Sequence, residues 1–152
     1  MKNEFNKIER QLGYKFKDKE LLRTALTHKT YAFEASQPVE YNERLEFLGD
    51  SVFNFIVAEK LYLTNKYFSE GELTRRRSLG VNNRFLADAA KRLNLGEYMF
   101  LGKGELKQSG SENPKSLANC LEAIIGAIYL DSNLLKVRSF ILNKVYFKEF
   151  EF

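Results

Sequence analysis

The sequence predicts an all-α fold, a single-domain helical bundle spanning residues 1–152. Three observations predict it. Apolar residues recur at three- and four-residue spacing along most of the chain, and no segment shows the strict alternation of a half-buried strand. The chain has only two prolines and nine glycines, which describes a compact, mostly helical chain rather than a disordered one. Hydrophobic residues make up 44% of it, enough for a 152-residue chain to bury a substantial core.

Taken in order, Phe5, Ile8 and Leu12 lie on one helical face, with Gly13 as a stop. Asp18 is placed to cap a second helix whose inner face carries Leu21, Leu22, Ala25 and Leu26. Residues Tyr31 to Tyr41, which include Pro38, read as a loop. A long helix follows from about Asn42 to Leu63, with Asn42 as its candidate N-cap. Leu45, Leu48, Val52, Phe55 and Ile56 form one apolar face, which predicts a central, buried helix. Gly49 falls in its middle, where it costs helix propensity and suggests close approach of a neighbour. Ser69 and Glu72 form a capping box for the next helix. Arg75, Arg76 and Arg77 follow in it, spanning most of a turn, so that at least one must face solvent. Phe85, Leu86, Ala89, Ala90 and Leu93 continue the helical period up to Gly96. Gly102 to Lys115 reads as a polar, flexible segment. Asn113 and Pro114 then cap and open a helix that runs to Leu130, and Asp131 to about Phe150 reads as the last helix.

The most informative stretch is NERLEFLGDS, Asn42 to Ser51. Glu43, Glu46 and Asp50 stand at i, i+3 and i+7, within roughly 60° of arc on one helix face. Aligned carboxylates repel, and a solvated helix would intersperse cations. Phe47 and Leu61 flank this stripe on one side, Phe53 and Val57 on the other. A partly buried row of acids calls for a counter-charge, and a divalent metal ion supplies one. A solvated helix start favoured by the helix dipole accounts for Glu43 and Glu46 but not for Asp50, two turns in. On the later helix, Asn119 and Glu122 stand at i and i+3, with Gly126 on the same face. Packing at Gly49 and Gly126 would bring Glu46, Asp50, Asn119 and Glu122 together.

Other features narrow the function. One His and one Cys do not build a zinc site of the usual kind, so metal ligands must be oxygens, pointing to magnesium or manganese. No GxxxxGK[ST] run is present, so no nucleotide cofactor is expected. His28 reads as a packed, hydrogen-bonded residue, and Cys120 as a small core residue that can form no intramolecular disulfide. The start MKNEFNKIER has no apolar core and no run is long enough to span a bilayer, so a cytoplasmic protein without a membrane is expected. The net charge of +4 allows nucleic-acid binding without establishing it.

NERLEFLGDS resembles the signature segment of the ribonuclease III family. LLRTALTHKTY (Leu21 to Tyr31), SEGELTRRRS (Ser69 to Ser78), LGKGELKQSG (Leu101 to Gly110) and SLANCLEAIIGAIYLDS (Ser116 to Ser132) are similar to further family segments, in the same order. The resemblance implies the helical endonuclease fold of that family. It also implies magnesium-dependent hydrolysis of double-stranded RNA to 5′-phosphate products, and a homodimer. By position, Glu46, Asp50 and Glu122 correspond to metal-binding catalytic carboxylates, and Glu43 and Glu70 to acids nearby. Candidate phosphate contacts are Arg75, Arg76, Arg77, Lys103, Lys107 and Lys115, each of which also reads as a solvated surface charge.

One departure matters. The fourth catalytic position of the family is an aspartate, and here it is Asn119. Its carbonyl oxygen remains a ligand, but a full negative charge is lost. At an effective dielectric near 20, one charge at about 4 Å is worth on the order of 4 kcal/mol before screening. Metal binding or catalysis is expected to weaken. A deliberate inactivating substitution and a natural variant of reduced activity both fit; slow deamidation is disfavoured inside a helix. The alternative to an enzyme is a non-catalytic module of the same fold, binding double-stranded RNA or associating with ribosomes. A helical interaction domain with no RNA role has only the aromatic end YFKEFEF behind it. That ending is read as the nuclease domain alone or as a short family member, without the RNA-binding domain that follows in many bacterial members.

Overall fold

The computed structural model describes residues 2–146 and 152. The chain forms α1 (Lys2–Leu12), α2 (Lys19–Leu26), α3 (Lys29–Glu34), α4 (Glu43–Thr64), α5 (Glu70–Gly80), α6 (Asn83–Arg92), α7 (Lys103–Lys107), α8 (Pro114–Asp131) and α9 (Leu134–Phe140). Short 3₁₀ turns lie at Leu95–Glu97 and Gly110–Glu112, and a π-helical turn at Ile141–Val145. Among the described residues there are no strands. A single parallel bridge ties Thr27 to Phe100, where Phe100 N donates to Leu26 O and His28 N to Phe100 O, both at 2.9 Å. The all-α expectation holds.

Helix α8 is the axis of the bundle. Every residue from Ser116 to Ile128 except Asn119 is buried. Helix α4 packs along it, with α2, α6 and α9 on its other sides. Each fully buried Leu or Ile in this run contributes about 2 kcal/mol of burial free energy before entropy is subtracted. The Asn113 side chain starts α8 by accepting from Lys115 N and Ser116 N, with Pro114 in the first turn. Asp18 caps α2 by accepting from Glu20 N, and Ser69 caps α5 by accepting from Glu72 N. These starts fall where the sequence places them.

Other elements differ from expectation. The central helix is α8 rather than α4, because α4 turns Phe47, Phe55 and Tyr62 outward, at 79%, 53% and 71% exposure. Phe47 therefore does not shield the acid stripe, and Phe55 is not a core residue. The loop expected from Tyr31 contains part of α3, which begins at Lys29 after His28 has accepted from Thr30 N. His28 thus caps the start of α3, and its Nδ1 also lies 2.8 Å from Thr30 Oγ1. The period expected to run unbroken to Gly96 is cut at Val81, and the Asn82 side chain starts α6 by accepting from Phe85 N. The segment from Gly102 is not featureless: α7 forms there, anchored where Lys103 N donates to Glu34 at 2.9 Å. The last helix starts at Leu134 instead of Asp131, because Asn133 accepts from Lys136 N and begins a new turn. Its expected end near Phe150 lies outside the described residues. Asn42 flanks α4 but makes no side-chain capping bond; it is buried, and its Nδ2 has no hydrogen-bond partner among the described residues.

Cys120 is fully buried, and its thiol lies 3.7 Å from Ala25 O. Burial pushes the thiol up to about 12. The folded chain is expected to resist a water-soluble disulfide reagent at pH 8 and to react stoichiometrically in denaturant; a colorimetric thiol assay under both conditions checks this. Among the described residues, no helix is long and apolar enough to cross a membrane.

Candidate metal centre

The site exists because two glycines meet. A Cβ at Gly49 would lie 1.7 Å from Glu122 O, and one at Gly126 would lie 2.4 Å from Leu45 O. The two helices run antiparallel here, with Gly49 opposite Glu122 and Leu45 opposite Gly126. Only hydrogen fits at either position, so α4 and α8 approach backbone to backbone. The side chains one turn to either side are thereby drawn together.

Glu122 is the most buried acid of this site, at 8% exposure. Burial first, then the charges of Asp50 and Glu46, push its carboxyl up to about 7. The groups that perturb it electrostatically are both acids. Glu46 is also raised, by burial and then by Glu43; Lys115 and Lys29 act against this, and Asp50 adds to it. The carboxylates of α4 and α8 thus share one field. Asp50 is exposed, and its Oδ1 accepts from Asn54 Nδ2 at 2.8 Å. Asn119 is half-buried on α8, and its side chain has no hydrogen-bond partner among the described residues.

The remaining candidates are placed unequally. Glu43 is half-exposed and pairs with Lys29 at 3.1 Å. Glu70 opens α5, where its carboxylate accepts from Thr74 Oγ1 at 2.7 Å, and it is not among the charges that shift Glu46 or Glu122. Arg75 and Arg76 both engage Glu72, holding its carboxyl down at about 2, and Arg76 stacks 4.3 Å over the Phe68 ring. Arg77 is exposed without an ionic partner among the described residues, as are Lys103 and Lys107 on α7. Lys115 is exposed at the start of α8, and its charge acts on Glu46. Lys29 is the residue that sequence reasoning missed. Its position directly after the capping His28, facing the start of α4, was the available signal.

The donor set fits a hard divalent cation. Every polar group in it offers oxygen, and the buried carboxylate has only acids beside it, a charge imbalance that a cation would relieve. Among the described residues, no group of three or more His, Cys, Asp or Glu side chains is placed to hold a metal ion as it stands.

Comparison with known proteins agrees with this geometry. A family described as ribonuclease-III-like matches residues 18–148. The chain is 48% identical over 141 residues to Ribonuclease 3 of Clostridium kluyveri, covering 93% of this chain and 57% of that protein. It is 46% identical over 143 residues to Ribonuclease 3 of Vibrio parahaemolyticus, covering 94% of this chain and 61% of that one. The chain therefore spans well under two-thirds of the length of these relatives. Among solved structures, the nuclease domain of ribonuclease III from Campylobacter jejuni superposes with a TM-score of 0.85 at 40% identity, covering 91% of this chain and 94% of that one. That structure was described for flexibility in a region involved in dimer formation. A second structure of the same domain gives a TM-score of 0.84 at 39% identity.

Proposed function

The chain belongs to the ribonuclease III family, and from that premise we propose that residues 1–152 form one endonuclease domain that hydrolyses double-stranded RNA. The observation that carries this reading is the burial of Glu122 between two helices with acids as its charged neighbours. A binding module gains nothing from buried negative charge that repels phosphate. Glu46, Asp50 and Glu122 would hold magnesium, or manganese in its place, with the carbonyl oxygen of Asn119 as a weaker fourth donor. The ion, when bound, supplies an activated water and neutralises charge on the scissile phosphodiester.

The protein's own part is positional. The glycine contact sets the separation of the two acid-bearing helices. Lys29 restrains Glu43, and Lys115 offsets part of the repulsion on Glu46. Arg77, Lys103 and Lys107 are free to meet the RNA backbone. Such contacts read duplex shape and phosphates rather than base sequence. We place the activity in RNA processing in the cytoplasm, by a homodimer. The exposure of Phe47, Phe55 and Tyr62 on α4 supports self-association, because large apolar side chains left outward on one helix gain from a partner surface. A dimer would present two acid sites to the two strands of a duplex.

Asn119 weakens this site by one charge and favours the second reading, a non-catalytic RNA-binding module of the same fold. The test is long duplex RNA in magnesium and in manganese, incubated with this chain and with an Asn119→Asp version. The Asp version is expected to cut roughly a hundredfold faster, after screening of the Coulomb gain. A failure of both folded proteins to cut in either metal would overturn the enzyme reading in favour of the module.

A further inference from the structure

The acid site leaves a lysine-lined cleft among the described residues unexplained. The cleft, about 620 Å³ in volume, lies between the turn after α1 and the start of the C-terminal helical segment. Lys15, Lys17, Lys136 and Lys144 line it, from two stretches more than a hundred residues apart in sequence. None of the four forms an ion pair with a described residue. Gly13 has a left-handed backbone, φ +65°, and a Cβ there would lie 2.9 Å from Lys144 Cε. The missing side chain lets Lys144 lie across the cleft instead of being pushed from it.

The carboxylate beside the cleft is already engaged. Asp131 accepts from Tyr14 Oη at 2.6 Å, Lys17 N at 2.9 Å and Asp18 N at 2.8 Å. Its oxygens face the α1–α2 turn, where the charge of Lys17 also acts on it. Ser139 and Asn143 add polar groups to the same wall. The place in the fold also separates this cleft from the acids. Asp131 follows Glu122 by about half a rotation around α8 and roughly 13 Å along it. The cleft and the acid site therefore open on different sides of the central helix.

We propose that this cleft is a second site, for a small polyphosphate anion: a free inorganic chain or the phosphate tail of a nucleotide. Four lysines lining one concavity raise the local potential and concentrate multivalent anions. Ammonium groups bind phosphate as point charges, without the planar fork that arginine would bring. The volume is that of a small-molecule pocket. The chain has no GxxxxGK[ST] loop, so the site is one of lysine side chains rather than of a phosphate-cradling backbone. The proposal does not depend on cleavage activity.

Titration calorimetry of the whole chain with sodium tripolyphosphate, and separately with ATP, tests it in low salt without divalent metal. Saturable binding near one anion per chain is expected. Lys17→Glu combined with Lys136→Glu is expected to weaken it by about tenfold or more, whereas Lys66→Glu combined with Arg84→Glu, elsewhere on the surface, leaves it unchanged. Equal affinity for both anions assigns recognition to the phosphates alone; tighter ATP binding adds the nucleoside to what the cleft holds. No saturable binding, or the same loss in both double variants, would overturn the proposal. Lysine acetylation of the parent chain gives a readout that needs no variant. Tripolyphosphate is expected to protect Lys15, Lys17, Lys136 and Lys144 selectively, and uniform protection of all lysines would count against the cleft.

Discussion

Replacing Gly49 by Ala is expected to destabilise the chain by about 3 kcal/mol or more, although alanine is the better helix former. Helix propensity alone would stabilise α4 by about 1 kcal/mol. The new methyl group would instead sit 1.7 Å from Glu122 O, inside any tolerable contact, and the obstacle is backbone rather than a side chain that could swing away. Two helices would have to separate along the seam that carries most of the core, losing dispersion contacts on both sides. For a chain of this size the melting temperature should fall by about 10 °C. Gly126→Ala meets Leu45 O at 2.4 Å and should act in the same direction, less severely. Thermal denaturation followed by circular dichroism measures both; an unchanged or raised melting temperature for Gly49→Ala would refute the close approach.

The second large effect is at Glu122 and runs in two directions. Its folded carboxyl is raised to about 7 from the ordinary 4.5, by burial and then by Asp50 and Glu46. The unfolded chain releases this proton first, so the folded state holds more protons between about pH 4.5 and 7. Stability therefore falls as pH rises through that window, and the loss is complete above pH 7. After discounting for solvent screening it amounts to about 1–2 kcal/mol. In chelator at pH 8, Glu122→Gln should accordingly melt higher than its parent, with the difference closing as pH approaches 4.5. In a chain that also carries Asn119→Asp, the same Gln substitution should slow cleavage of duplex RNA by roughly a hundredfold, because a charged donor for the ion is gone. Greater stability with less activity is the signature of a group kept for chemistry. Loss of both would instead make Glu122 an ordinary structural residue.

Local chemistry made much of the fold legible. Asn113 with Pro114, Asp18 and Ser69 announce three helix starts because a capping side chain acts within three residues of itself. Where those signals are unusual, reading the sequence falls short. His28 caps α3 although it is not among the common capping residues, and six residues are too few to show a period. Asn82 does carry a capping signal, but the apolar spacing runs across the break at Val81 and hides it. Periodicity also marks Phe47 and Phe55 as apolar without saying which face of α4 finds a partner within the chain.

The sequence by itself determined the helical class, the row of Glu43, Glu46 and Asp50, the presence of Glu122 and the substitution at Asn119. Spacing of 3.6 residues per turn and side-chain chemistry are local properties. Only the tertiary structure decided that α8 is the central helix, that Gly49 lies against the backbone of Glu122, and that Glu122 is buried among acids while Glu70 stands apart. It also brought Lys15 and Lys17 to Lys136 and Lys144. Burial and electrostatic coupling depend on which distant segments pack together, and that depends on the whole core rather than on any one stretch of chain.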